Sequence, residues 1–147
     1  MNFLILTIFS FFFINGGLYF PLKDASKTLN PGFCVEFGKN VNILDISLSF
    51  KNFTLQKNSQ TSFSIFSIFG DFFYKISKNS FISFGPSLSL LSLQKKDKKE
   101  FGGTISFRSF LNFSNKERFI SGIGFEFIKG DEKGVFLMGI KLGFIWD

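Results

Sequence analysis

Histidine is absent from this 147-residue chain, and cysteine occurs once, as Cys34. Without imidazole there is no His-based acid–base catalysis, no Ser/His nucleophile pair and no zinc site of the usual kind. A single thiol closes no intramolecular disulfide, and Cys34, flanked by Phe33 and Val35 in a strand-like pattern, reads as a small packed side chain. Serine is abundant, yet no G-x-S-x-G elbow activates one. No catalytic, cofactor or metal residues are therefore nominated, and an enzyme is not expected. Proline is scarce, and only Pro86 interrupts a long strand-like segment. Charge is scarce too: 19% of residues, against about 25% in average globular chains, which is lean for a water-facing surface.

Phenylalanine, by contrast, supplies 26 residues, and over much of the chain apolar side chains recur at every second position. Phe101, Gly103, Ile105 and Phe107 alternate with Gly102, Thr104, Ser106 and Arg108. Leu44, Ile46, Leu48 and Phe50 alternate with Asp45, Ser47, Ser49 and Lys51. A period of two sends the two sets to opposite faces of a strand. An AT-rich genome inflates Phe, Ile, Lys and Asn together, but composition alone produces no alternation.

Phe3 to Ile14 is almost continuously apolar and is followed by Asn15, Gly16 and Gly17. This run is short of the roughly 20 residues of a spanning helix. It suits an export signal, although no Lys or Arg precedes it. Residues 1–16 are accordingly expected to be a signal peptide and 17–147 a single domain. The remainder divides at polar and Gly-containing turns into eight segments: about Gly16–Leu22, Phe33–Gly38, Val41–Leu55, Ser62–Ile76, Phe81–Leu93, Phe101–Phe113, Arg118–Ile128 and Gly134–Trp146. Lys39 and Asn40 are expected in a tight turn. Parity shifts near Lys51–Phe53 and Ile65–Phe66 suggest bulges. The longer segments exceed the mode of about 5–6 residues for globular strands and match the roughly 9–11 of a tilted membrane strand.

Turning the large residues inward would overfill an eight-stranded barrel, whose interior just accommodates its own side chains. It would also leave a Ser- and Gly-rich exterior with few charges. Turned outward, the same residues meet lipid, while Ser, Gly and Thr fill a narrow lumen and closure satisfies the backbone. The expected fold is thus all-β, an eight-stranded antiparallel up-and-down transmembrane β-barrel after a signal-like apolar segment. Glu36, Asp45, Lys51, Asp71, Lys75, Arg108, Glu126 and Lys141 fall on the lumen face and are expected to form a neutral, structural salt-bridge network. Eight strands with such a lumen should conduct ions poorly.

The net charge of +6 does not point to nucleic acid, because Lys95, Lys96, Lys98 and Lys99 cluster with Asp97 and Glu100 in what reads as a solvated loop. This pattern resembles the small outer-membrane β-barrel proteins of Gram-negative-type bacteria, of the OmpA/OmpX kind. Gly17 to Asp24 with Asn30 to Phe33 is similar to their opening strand, loop and second strand, and Phe84 to Leu88 to their glycine-containing strand. Gly139 to Phe144 resembles the terminal-strand signal read by the barrel-assembly machinery, though the chain ends Ile145, Trp146, Asp147. The resemblance implies a bacterial outer-membrane location and termini on the periplasmic side. It places the connectors 23–30, 56–60, 94–100 and 129–133 outside. Tyr19, Tyr74 and Trp146 are expected in interfacial aromatic belts. Membrane lipid and the assembly machinery are the expected partners, with an anionic lipid headgroup or surface ligand at the basic loop, and the barrel is expected to be monomeric. The competing reading is a soluble or periplasmic lipocalin-like carrier of an apolar ligand.

Overall fold

A computed structural model describes residues 10–112, 118–130 and 133–146. The start of the apolar run (3–9), the expected turn at 114–117 and the loop residues 131–132 lie outside the described residues. Eight strands run in chain order: β1 (Ser10–Leu22), β2 (Gly32–Val41), β3 (Leu44–Thr54), β4 (Ser62–Lys75), β5 (Ser80–Leu93), β6 (Lys96–Asn112), β7 (Arg118–Ile128) and β8 (Val135–Trp146). Each pairs antiparallel with the next and β8 returns to β1, so the sheet closes as an up-and-down barrel with no free edge. Closure matters because an unpaired backbone group in hydrocarbon costs several kcal/mol.

The register fixes the barrel's dimensions. Ser10 pairs with Val41, Val41 with Leu44, Leu44 with Phe72, Phe72 with Phe84 and Phe84 with Ile105. Ile105 then pairs with Phe125, Phe125 with Met138 and Met138 with Phe20. One circuit therefore advances ten residues along β1. Eight strands with that shear tilt by about 40° around a backbone cylinder of about 8 Å radius, given the usual rise and strand spacing. An 11-residue strand such as β3 then covers about 28 Å of height, enough for the apolar band of an outer-membrane barrel.

The ladders keep one register from end to end, which removes the expected bulges. In β3 the inward residues are Asp45, Ser47, Ser49, Lys51 and Phe53, and in β4 they are Phe63, Ile65, Ser67, Phe69 and Asp71, without a change of parity. The apparent shifts arise because the inward face itself turns apolar near the barrel ends. The β4–β5 ladder skips Gly70 and Asp71, opposite Pro86 and Gly85, where proline has no N–H to donate. The tight turn expected at Lys39 and Asn40 lies three residues later: both belong to β2, and the reversal uses Asn42 and Ile43, with Asn42 at φ 57°. Asn tolerates that left-handed region better than most residues.

β1 starts at Ser10, well before the expected Gly16. Residue 16 is therefore an interior position of a stave: Phe12 to Gly16 pair with Trp146 to Leu142 of β8 and with Lys39 to Val35 of β2. The expected boundary between leader and domain runs through the middle of β1.

Candidate functional site

The outward face is apolar over its whole circumference. Phe33, Val35 and Phe37 on β2, Ile46, Leu48 and Phe50 on β3, Ile105 and Phe107 on β6, and Ile123, Phe125 and Phe127 on β7 all stand exposed. Where a soluble barrel would present charge, this one presents hydrocarbon. Polar chemistry is concentrated inside, at mid-height.

There, Glu36, Asp45, Lys51, Asp71, Arg108 and Glu126 are buried and Lys141 nearly so. The ionic contacts cross the lumen. Lys51 Nζ on β3 meets Glu126 Oε2 on β7 at 2.9 Å. Arg108 on β6 reaches Asp45 at 3.3 Å and Glu36 at 3.7 Å, and Lys141 on β8 binds Glu36 on β2. With a radius of about 8 Å, one lysine and one glutamate are long enough to bridge opposing walls. Hydroxyl and amide groups complete the layer. Ser47 donates to Glu36 at 3.0 Å, Thr104 to Asp71 at 2.6 Å, Asn40 to Asp45 at 2.6 Å and Lys51 to Ser49 at 2.7 Å. Ser67 and Ser89, and Ser83 and Ser106, share hydrogen bonds across neighbouring strands. These polar partners matter because a buried charge pair breaks even only when its remaining groups are satisfied.

Lys75 does not join this network. It has the inward parity but stands at the end of β4, exposed at the barrel rim. The buried set is therefore four carboxyls against three cations, and Asp71 is held by the Thr104 hydroxyl instead of by a base.

Apolar layers close the lumen above and below. At the end carrying both termini, Phe11, Phe13, Phe81, Ile120 and Ile145 are buried together with Phe73 and Phe110 against them. The rings of Phe73 and Phe81 lie 4.2 Å apart and those of Phe81 and Phe110 4.7 Å. Gly38 faces this layer because any side chain there would strike the Phe13 ring. At the opposite end, Cys34, Phe53, Phe63, Ile65, Ile128 and Leu137 form a second layer. It is roofed by Ala25 and Leu29, which the 3₁₀ turn Lys23–Lys27 folds inward. Gln56 fastens that roof, its backbone N–H donating to Thr28 O at 2.9 Å and its side-chain amide to Ser26 O at 2.7 Å. The expectation that Ser, Gly and Thr alone fill the lumen holds at mid-height and gives way to Phe and Ile at both ends. Tyr19 is corrected with them: it points inward over Gly139, with Lys51 Nζ 5.3 Å and Lys141 Nζ 5.6 Å from its ring. Between the layers, two cavities of about 10 Å³ each are water-sized.

Tyr74 and Trp146 do face outward near the terminal end. Trp146 stacks on Phe12 at 6.1 Å, and Lys39 Nζ sits 4.7 Å over the same Phe12 ring. This amphipathic cluster was hidden in the sequence by the expected turn at Lys39. The basic run is not a loop. β5 and β6 continue as a hairpin whose reversal is only Gln94 and Lys95, at φ 48° and 67°, and Lys96, Lys98 and Lys99 lie on β6. Lys96 and Lys98 pair with Leu93 and Leu91, Lys99 pairs with Leu90, and Lys98 is bridged to Glu100 at 2.7 Å. All four lysines are exposed. Among the described residues no group of metal-ligating side chains assembles.

No protein-family model matches the chain, and no curated protein sequence matches it. Solved structures do match in shape. Neisserial surface protein A is similar with a TM-score of 0.61 at 14% identity, over 92% of this chain and 95% of that one. The N-terminal β-barrel domain of Pseudomonas aeruginosa OprF is similar with a TM-score of 0.58 at 14% identity, over 93% and 97%. The Yersinia pestis outer-membrane protein Ail in a phospholipid nanodisc is similar with a TM-score of 0.58 at 15% identity, over 94% and 100%. Ail has also been solved with the heparin analogue sucrose octasulfate, a structure matched with a TM-score of 0.54 at 14% identity, over 93% and 97%. The chain has the fold of the small eight-stranded outer-membrane barrels.

Proposed function

We propose that the chain is a non-enzymatic, monomeric integral protein of a bacterial outer membrane, inserted by the barrel-assembly machinery. In this reading its termini face the periplasm and its lysine-bearing β5–β6 hairpin faces outside. The observation that carries the reading is the apolar exterior wrapped around a sealed, salt-bridged interior. A lipocalin-like carrier needs an apolar cavity within the barrel, and the mid-height space here is occupied by the ionic layer. The same plugging argues against a pore. Work at the surface then falls to the hairpin, whose exposed lysines suit an anionic partner such as a lipid headgroup or a surface polyanion. Ail with a sulfated sugar analogue is a precedent for that chemistry on this fold.

Trypsin treatment of intact cells is the test. Cleavage within Lys95–Lys99, leaving the remaining barrel protected and heat-modifiable on a gel, is the expected outcome. Recovery of the protein in the aqueous phase after lysis without detergent would overturn the reading.

A further inference from the structure

At the terminal end the barrel mouth forms a cup of about 470 Å³ over the apolar layer, within the range of about 300–1,000 Å³ typical of small-molecule sites. Its wall is Phe11, Phe73, Phe110 and Ile145, and its rim is Asn42, Asn79, Lys75, Lys78 and Arg118. Two features set it apart from a mere seal. A seal needs close packing, yet half-buried Phe73 and Phe110 turn ring surface into an open cavity at an aqueous mouth. Among the described residues every charged group at the rim is also a cation, and Lys75 and Lys78 have no ion pair with a described carboxylate, whereas the lumen bases each have one. Lys75 is the base that the ionic layer leaves out, and it stands exposed at the end of β4 where it lines the cup.

We infer that this cup binds a monoacyl anion, an aliphatic chain carrying a carboxylate or phosphate head. The chain lies against Phe73, Phe110 and Ile145, and the head sits at Lys75 and Lys78. Neither half of such a ligand suffices: an uncharged chain leaves Lys75 and Lys78 without a counter-charge, and a bare anion leaves the aromatic wall wet. The inference does not depend on which side of the membrane this end faces.

The test uses the full chain refolded in nanodiscs, with methyl NMR read at Ile145 and Ile120 near the cup and at lipid-facing Ile123. Titrants are octyl phosphate, octanol and inorganic phosphate. Octyl phosphate should give saturable shifts at Ile145 and Ile120, with the apparent Kd weakened at least tenfold in Lys75→Gln/Lys78→Gln. Both substitutions are at exposed positions, so the barrel should stay heat-modifiable. Octanol and phosphate should give no saturable shift over the same range. Shifts at Ile123 as large as those at Ile145 would mean bilayer partition only and overturn the inference. So would equal binding of octanol, or an unchanged Kd in the double variant.

Discussion

Replacing Lys51 by Met should destabilise the barrel by about 3–5 kcal/mol, the usual loss when one member of a buried ion pair is removed and its partner is left unpaired. The geometry supports the upper part of that range. Lys51 is fully buried, its Nζ is 2.9 Å from Glu126 and also donates to Ser49, and it lies 4.9 Å from the Phe69 ring centre. At the 2.9 Å between Lys51 and Glu126, the Coulomb attraction in a medium of effective dielectric about 20 is about 6 kcal/mol, comparable to the desolvation of the two ions. Glu126→Gln should be similarly costly because it strands the ammonium. The pair removed together, Lys51→Met/Glu126→Gln, should recover most of the loss, since no unpaired charge remains. Urea unfolding in phospholipid vesicles, followed by the single tryptophan, Trp146, measures all three. Lys75→Met, outside the network, should stay within about 0.5 kcal/mol of the parent. A single-variant loss below about 1 kcal/mol, or a double-variant loss equal to the sum of the singles, would refute the claim that these charges are paired in a water-poor interior.

Protein recovered from membranes should retain Ser10–Gly16 by intact mass, and a chain begun at Gly17, lacking seven of the thirteen residues of β1, should fail to give a heat-modifiable band. At the hairpin tip, Gln94→Asn/Lys95→Gly should raise stability by about 1 kcal/mol in the same urea assay, because two non-glycine residues now occupy the left-handed region. Asp24 is exposed beside Lys27 and Lys133, whose hydrogen bonds hold its carboxyl below the usual aspartate value. A depressed folded-state pKa stabilises the roof loop above the unfolded value and loses that contribution as pH falls through the folded one. NMR titration should therefore place the Asp24 midpoint below 3.8, and Lys27→Ala/Lys133→Ala should raise it.

The eight strands were legible because alternation is a local property, carried within each segment. What is not local is height in the barrel. Phe53 and Ile65 looked like parity errors because their faces were assigned by chemistry, when they sit on the lumen face at a level where the lumen is apolar. Lys75 had the right face and the wrong height, and Tyr19 was placed by its distance from a strand end when its parity points inward. The first stave shows the same effect. From Phe11 to Ile14, lipid lies outside and the Phe layer inside, so both faces of the stave are apolar. A stave of that kind carries no alternation, so periodicity alone does not mark it as a strand. The charge network was found because mid-barrel positions keep polar and apolar faces distinct, as at Asp45 to Lys51.

The central claim is that the Phe-rich exterior faces lipid, and tryptophan quenching by brominated phospholipids tests it most directly. Trp146 lies near the terminal end of the exterior, and Ile123 stands exposed near the middle of β7. In vesicles, native Trp146 should be quenched best by bromines near the headgroups, and Ile123→Trp/Trp146→Phe best by bromines deep in the chains, with little quenching of the latter by aqueous iodide. Efficient iodide quenching at position 123, with no response to brominated lipid at either position, would contradict the account.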